Sequence, residues 1–161
     1  MSQAPQSPDA KKTPQKSSRR RAREFAVQGL YQWQLTGDGV ASIERFLRDS
    51  STSFVRADEA LFRDLFYNAL REAASLKDAL APHLDREEID VSPVERAVLL
   101  VAAYELIHKP ETPYAVVINE AIEIAKTFGG TDGHRFVNGV LDKLALDVRA
   151  AEVAESRNKR R

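Results

Sequence analysis

The chain has 161 residues, 43% hydrophobic and 30% charged, the balance of one globular domain with a real core. It contains no cysteine, which excludes disulfide and thiolate chemistry, and no apolar run approaches the roughly 20 residues of a membrane span. The 24 basic and 24 acidic residues cancel overall but are spread unevenly. Lys11, Lys12, Lys16, Arg19, Arg20, Arg21 and Arg23 come with no acidic residue among them, and Arg157, Lys159, Arg160 and Arg161 crowd the C-terminus. Basic ends around an acidic middle point to a polyanion partner for the ends and a different partner for the middle.

Residues 1–18 are rich in Pro, Ser, Gln and Lys, carry no apolar pattern and read as a disordered basic arm. They lack the apolar stretch of a secretory signal, so none is expected. From Arg19 the pattern turns helical, with Ala22, Phe25, Ala26, Gly29, Leu30 and Trp33 on one face, until Gly37-Asp38-Gly39 ends the helix. A shorter helix follows, with Val40, Ile43, Phe46 and Leu47 as its buried stripe. Ser50 to Ser53 reads as a loop, and one long helix is predicted from about Asp58 to Leu80, stopped by Pro82. His83 to Val91 is a connector bearing Asp85, Arg86, Glu87, Glu88 and Asp90, and the candidate boundary between two halves.

Ser92-Pro93-Val94-Glu95 is the clearest helix start: Ser92 caps, Pro93 takes the first position and Glu95 closes a capping box. The helix from Pro93 to His108 is apolar all round, which makes it the central buried element. Thr112-Pro113 starts the next, carrying Val116, Val117, Ala121, Ile124, Ala125 and Phe128, with Glu120 and Glu123 on a solvated face. Gly129-Gly130 terminates it, one of the two being expected in the left-handed conformation. The last helix begins near Asp132 and buries Val137, Val140, Leu141 and Leu144. The expected fold class is all-α: a bundle of about six or seven helices in two antiparallel subdomains sharing the Pro93 helix. The domain spans residues 19–149, followed by a basic flexible tail over 150–161.

No arrangement suited to catalysis emerges. His83, His108 and His134 are far apart, and there is no phosphate loop, dinucleotide fingerprint or nucleophile elbow. Neither an enzyme, a cofactor nor a metal site is expected. Arg19, Arg20, Arg21 and Arg23, by contrast, sit where positive charge opposes the helix dipole, at a cost of up to about 1 kcal/mol each when exposed. A bound phosphate would reverse that sign; the plainer alternative is a solvated basic tail. Phe136, beside His134 and Arg135 and read as out of phase with the Val137 stripe, is either an exposed ring that stacks on an unpaired base or a core ring. Tyr31, with Glu95, Tyr104 and Glu105 on the central helix, reads as contacts to a basic protein or as core-edge tyrosines with solvated glutamates.

Four stretches carry a resemblance: RRRAREFAVQGLYQWQL from Arg19 to Leu35, FRDL from Phe62 to Leu65, VERAVLLVAAYEL from Val94 to Leu106, and PYAVVINEAIEIAKTFGGTDGHRFVNGVLDKL from Pro113 to Leu144. On these the chain resembles the NusB family of bacterial transcription antitermination factors. The resemblance implies a cytoplasmic, non-catalytic protein of two helical bundles. It also implies binding of boxA RNA together with NusE, a small-subunit ribosomal protein, in an RNA polymerase antitermination complex that promotes transcription of ribosomal RNA operons. By position it implies that Arg19, Arg20, Arg21, Arg23, Asp132, Arg135 and Phe136 face RNA, and that Tyr31, Glu95, Tyr104 and Glu105 face NusE. Residues 1–18 and the stretch after Arg149 lie outside it. Some ribosomal RNA cytosine methyltransferases carry a similar helical part before a large catalytic domain, for which these 161 residues leave no stretch. The competing class is a homodimeric protein-interaction module whose basic ends give generic RNA affinity.

Overall fold

The computed structural model describes residues 16–130 and 132–160. The arm expected over residues 1–18 falls almost wholly outside the described residues, as do Thr131 and Arg161. Ser17 opens the first helix, α1 (Ser18–Thr36), its side chain accepting the Arg20 N–H at 3.0 Å. Gly37 closes it in the left-handed region at φ 71°, donating its N–H to the Trp33 carbonyl. There follow α2 (Val40–Ser50), α3 (Glu59–Arg71), α4 (Ala73–Leu80), α5 (Pro93–His108), α6 (Tyr114–Phe128), α7 (Gly133–Val148) and α8 (Ala150–Lys159). Short 3-10 turns lie at Thr52–Arg56, Ala81–His83 and Glu88–Asp90, and no strand occurs among the described residues.

The chain is all-α, with eight α-helices among the described residues rather than the six or seven expected. The helix predicted from Asp58 to Leu80 breaks at Glu72, where ψ is 11°. The inward positions Leu61, Leu65, Ala69, Ala73, Leu76 and Leu80 keep step through the break, so periodicity cannot reveal it. The stretch after Ala150, expected to be a flexible tail, forms α8, and tertiary contacts hold it. Val153 enters the core, and the buried Arg149 guanidinium donates to the carbonyls of Leu106, Lys109 and Thr112. Arg149 also pairs with Glu152 at 2.6 Å, whose other oxygen accepts the Tyr114 N–H at 2.7 Å. Glu152 thus supplies from α8 the cap that Pro113 cannot give α6.

The α5 capping box is present in full, Ser92 and Glu95 each accepting the other's backbone N–H. Helix α5 is shared by two groups, α1, α3 and α4 on the one hand and α6 and α7 on the other, and one continuous apolar core joins them. Helices α1 and α3 meet at Gly29, where a Cβ would lie 2.7 Å from the Phe66 ring, so nothing larger fits. Gly129 is extended at φ −91°, and Gly37 is the one described glycine with positive φ, so the expected left-handed residue after α6 is not found. Gly129 meets a different constraint: a Cβ there would sit 2.7 Å from the Ala125 carbonyl oxygen. Phe46, expected in the α2 stripe, is 56% exposed, because α2 packs inward through Ile43 and Leu47.

Candidate nucleic-acid and protein interface

The four arginines that open α1 have different fates. Arg23 is 3% exposed and makes a two-pronged pair with Glu105, itself 1% exposed: Nε to Oε2 is 2.8 Å and Nη2 to Oε1 is 2.9 Å. Burial pulls the Arg23 pKa down, but the hydrogen bonds and charge of Glu105 outweigh it and leave it raised. Arg20 is half-buried and pairs in the same manner with Glu120 of α6, at 2.7 and 3.2 Å. That bond raises its pKa, and Glu120, expected on a solvated face, is a positioning residue for it. Arg19 reaches Asp58 only at 3.9 Å, and Arg21 has no ion pair among the described residues. Arg23 is therefore corrected from an RNA contact to a core ion pair, because position 23 falls on the inward face beside Ala22 and Ala26.

At the start of α7, Asp132 and Arg135 are exposed, but Phe136 is only 8% exposed. The exposed-ring reading is corrected: Phe136, Val140 and Leu144 stand four apart and share the inward face with Val137 and Leu141. Arg86 from the connector lies over the ring, its guanidinium carbon 3.9 Å from the ring centroid. Sequence reasoning passed Arg86 over as part of a boundary; its signal was a lone cation among Asp85, Glu87, Glu88 and Asp90. Glu95, assigned to a protein partner, lies against this same corner, its Oε1 3.0 Å from where a Gly133 Cβ would stand. Helix α1 runs antiparallel to α5, since Arg23 meets Glu105 while Gln34 donates to the Pro93 carbonyl at 2.9 Å. The α1 start and the α7 start thus flank opposite ends of α5, roughly 15 Å apart at 1.5 Å per residue between Glu95 and Glu105.

Tyr104 and Glu105 do not face a partner in this arrangement. Glu105 is consumed by Arg23, and Tyr104 is 8% exposed, donating its hydroxyl to Asp64 Oδ1 at 2.6 Å. Asp64 also accepts from Lys109 at 2.7 Å and Asn68 at 2.8 Å; these bonds overcome its burial and lower its pKa. Burial and the Asp64 bond push Tyr104 up to about 12. A raised pKa in the fold means the hydroxyl's contribution is complete below pH about 10 and is lost as pH rises through about 12. The stability difference between the unaltered chain and Tyr104→Phe, read by urea unfolding, is expected to shrink across that window. A difference constant from pH 8 to 12 would show that Asp64 does not hold this proton.

Tyr31 is 38% exposed, and its neighbours form an apolar face that sequence periodicity missed. One groove lies between Tyr31, Val27, Val94 and Phe128, and a second between Tyr31, Leu35 and Phe46. Leu35, Phe46 and Phe128 are exposed although each belongs to a helix with a buried stripe. No helix of the described residues is long and apolar enough to cross a membrane, and no described group of His, Asp or Glu is placed to hold a metal ion.

A helical scaffold with a basic helix start at one end and an apolar face towards the other presents surfaces to partners rather than a cleft for chemistry. Comparison with known proteins narrows that class. The NusB family model matches residues 20–146. The chain is 61% identical over 146 residues to the transcription antitermination protein NusB of Laribacter hongkongensis, covering 91% of this chain and 88% of that protein. It is 58% identical over 147 residues to the protein of the same name from Chromobacterium violaceum, covering 91% and 98%. Among solved structures it is similar to NusB of T. maritima, with TM-score 0.71 and 27% identity over 84% of this chain and 96% of that one. It shares its fold with a chain of a complex of NusB and NusE with double-stranded RNA, with TM-score 0.69 and 24% identity over 79% and 95%. The chain belongs to the NusB family, a family of transcription antitermination factors and not of enzymes.

Proposed function

We propose that this chain is a transcription antitermination factor that binds boxA RNA together with NusE and promotes transcription of ribosomal RNA operons in the cytoplasm. The observation that carries this is the likeness, over 91% of the chain, to proteins named for that activity. The surfaces support it. Exposed Arg19 and half-buried Arg21, the latter with no ion pair among the described residues, put positive charge at a helix start with no acidic residue in its first turn, a place for phosphates. The RNA strand runs from there past Arg20 to Asp132 and Arg135 at the α7 start. NusE docks on the Tyr31 face with Glu95 at its edge, and the pair acts as part of an RNA polymerase antitermination complex. Each ligand strengthens the other by the same factor.

The test is anisotropy of labelled boxA RNA and a scrambled control, each with and without NusE, at two salt concentrations. Tighter boxA binding, strengthened by NusE, is the expected result. Equal weak binding to both RNAs, indifferent to NusE, would favour the second reading, in which the Tyr31–Phe46 face joins two copies of the chain; sedimentation would then show a dimer. Tyr31→Asp places a charge in the apolar groove and is expected to abolish NusE binding while leaving affinity for RNA alone within about twofold. Calorimetry showing unchanged NusE affinity would remove the partner from this face.

A further inference from the structure

We infer that Arg86, backed by Phe136, is the platform on which an unpaired base of the RNA stacks. The inference rests on the RNA-binding function proposed above and identifies the base-contacting residue of that surface. Phe136 does not take this part itself, since it is 8% exposed and Arg86 already lies over its ring. What covers it is a flat cation. The guanidinium carbon lies 3.9 Å from the ring centroid, close enough for the group to lie against the ring. Its Nε donates to Asp85 Oδ1 at 3.0 Å, which fixes the rotation of the head. The two terminal nitrogens have no hydrogen-bond partner among the described residues, and the side chain stays 38% exposed.

The connector that carries Arg86 is itself anchored. Arg96 donates to the Glu88 carbonyl at 2.7 Å, Val91 is buried, and His83 bonds to Asp147 of α7 at 2.6 Å. Arg86 is thus presented from a fixed support, with one face on an aromatic ring and the other in solvent. Guanidinium planes stack on unpaired bases as aromatic rings do, and their free N–H groups can also bond a base edge or a phosphate. The surroundings suit a strand passing over it. Arg135 is exposed one residue from Phe136, and the first turn of α7 has no acidic residue and no side-chain cap on its amides. Asp85, Glu87, Glu88 and Asp90 on the connector repel phosphates, which leaves a base rather than the backbone as the group that meets Arg86.

The test measures anisotropy of single-stranded boxA RNA with the unaltered chain, Arg86→Ala and Arg86→Lys, across a salt series, with thermal melts to confirm the fold. Arg86→Ala is expected to weaken binding by about 5- to 160-fold, the range of one lost stacking contact. Arg86→Lys keeps the charge but not the plane, and is expected to leave most of that loss in place. Full recovery in Arg86→Lys would show that charge alone acts and would overturn the inference. So would equal binding by the unaltered chain and Arg86→Ala, with the RNA-binding function left standing. Failure of the unaltered chain to bind the RNA would overturn both.

Discussion

Replacing Glu105 by Ala is expected to destabilise the chain by about 3–5 kcal/mol, because it strands the Arg23 guanidinium in the core without its partner. Both groups are almost wholly buried and bonded at two points, so the loss cannot be made good by solvent. Against a total stability of roughly 5–15 kcal/mol this is a large share. At about 2–4 °C per kcal/mol for a chain of this size, the melting temperature falls by about 6–20 °C. Urea unfolding with an unchanged m-value would give the number. The double replacement Arg23→Met with Glu105→Leu is expected to recover much of the loss, since an apolar pair of similar volume avoids the desolvation that the ions suffer. A cost below about 1 kcal/mol for Glu105→Ala, with NusE binding lost from a folded protein, would return Glu105 to the partner surface.

Removing Arg19 and Arg21 together is expected to weaken RNA binding by about 25-fold at 0.1 M salt. The slope of log affinity against log salt should fall by about 1.4, two phosphate contacts at about 0.7 each on a single strand. Arg20→Ala is expected to change the slope by less than Arg21→Ala, because Glu120 already neutralises its head while Arg21 has no ion pair among the described residues. Equal slopes for the unaltered and doubly replaced chains would mean that RNA does not lie along the α1 start. Circular dichroism would show intact helices in either case, since neither side chain belongs to the buried apolar face of α1.

Much of the fold was legible in order along the chain. Ser92-Pro93-Val94-Glu95 announced α5 and its capping box, and the all-round apolar pattern placed that helix at the centre, because both signals act within a few residues. The break at Glu72 and the helix after Ala150 were not legible. The first leaves the inward register intact, and the second depends on Arg149, whose acceptors on Leu106, Lys109 and Thr112 lie some forty residues away.

The same division runs through the candidate site. The sequence by itself determined the all-helical class, the basic run at the first helix and the family, because composition, periodicity and long motifs need no knowledge of what meets what. Only the tertiary structure decided which charges remain free. It spent Arg23 on Glu105 and Arg20 on Glu120, buried Tyr104 over Asp64, and laid Arg86 across Phe136. Each of these pairs joins residues 40 to 100 positions apart in the chain: Arg20 to Glu120, Arg23 to Glu105, Tyr104 to Asp64 and Arg86 to Phe136. An arginine's role is set by the nearest carboxylate or ring in space, and that neighbour is invisible until the helices are packed.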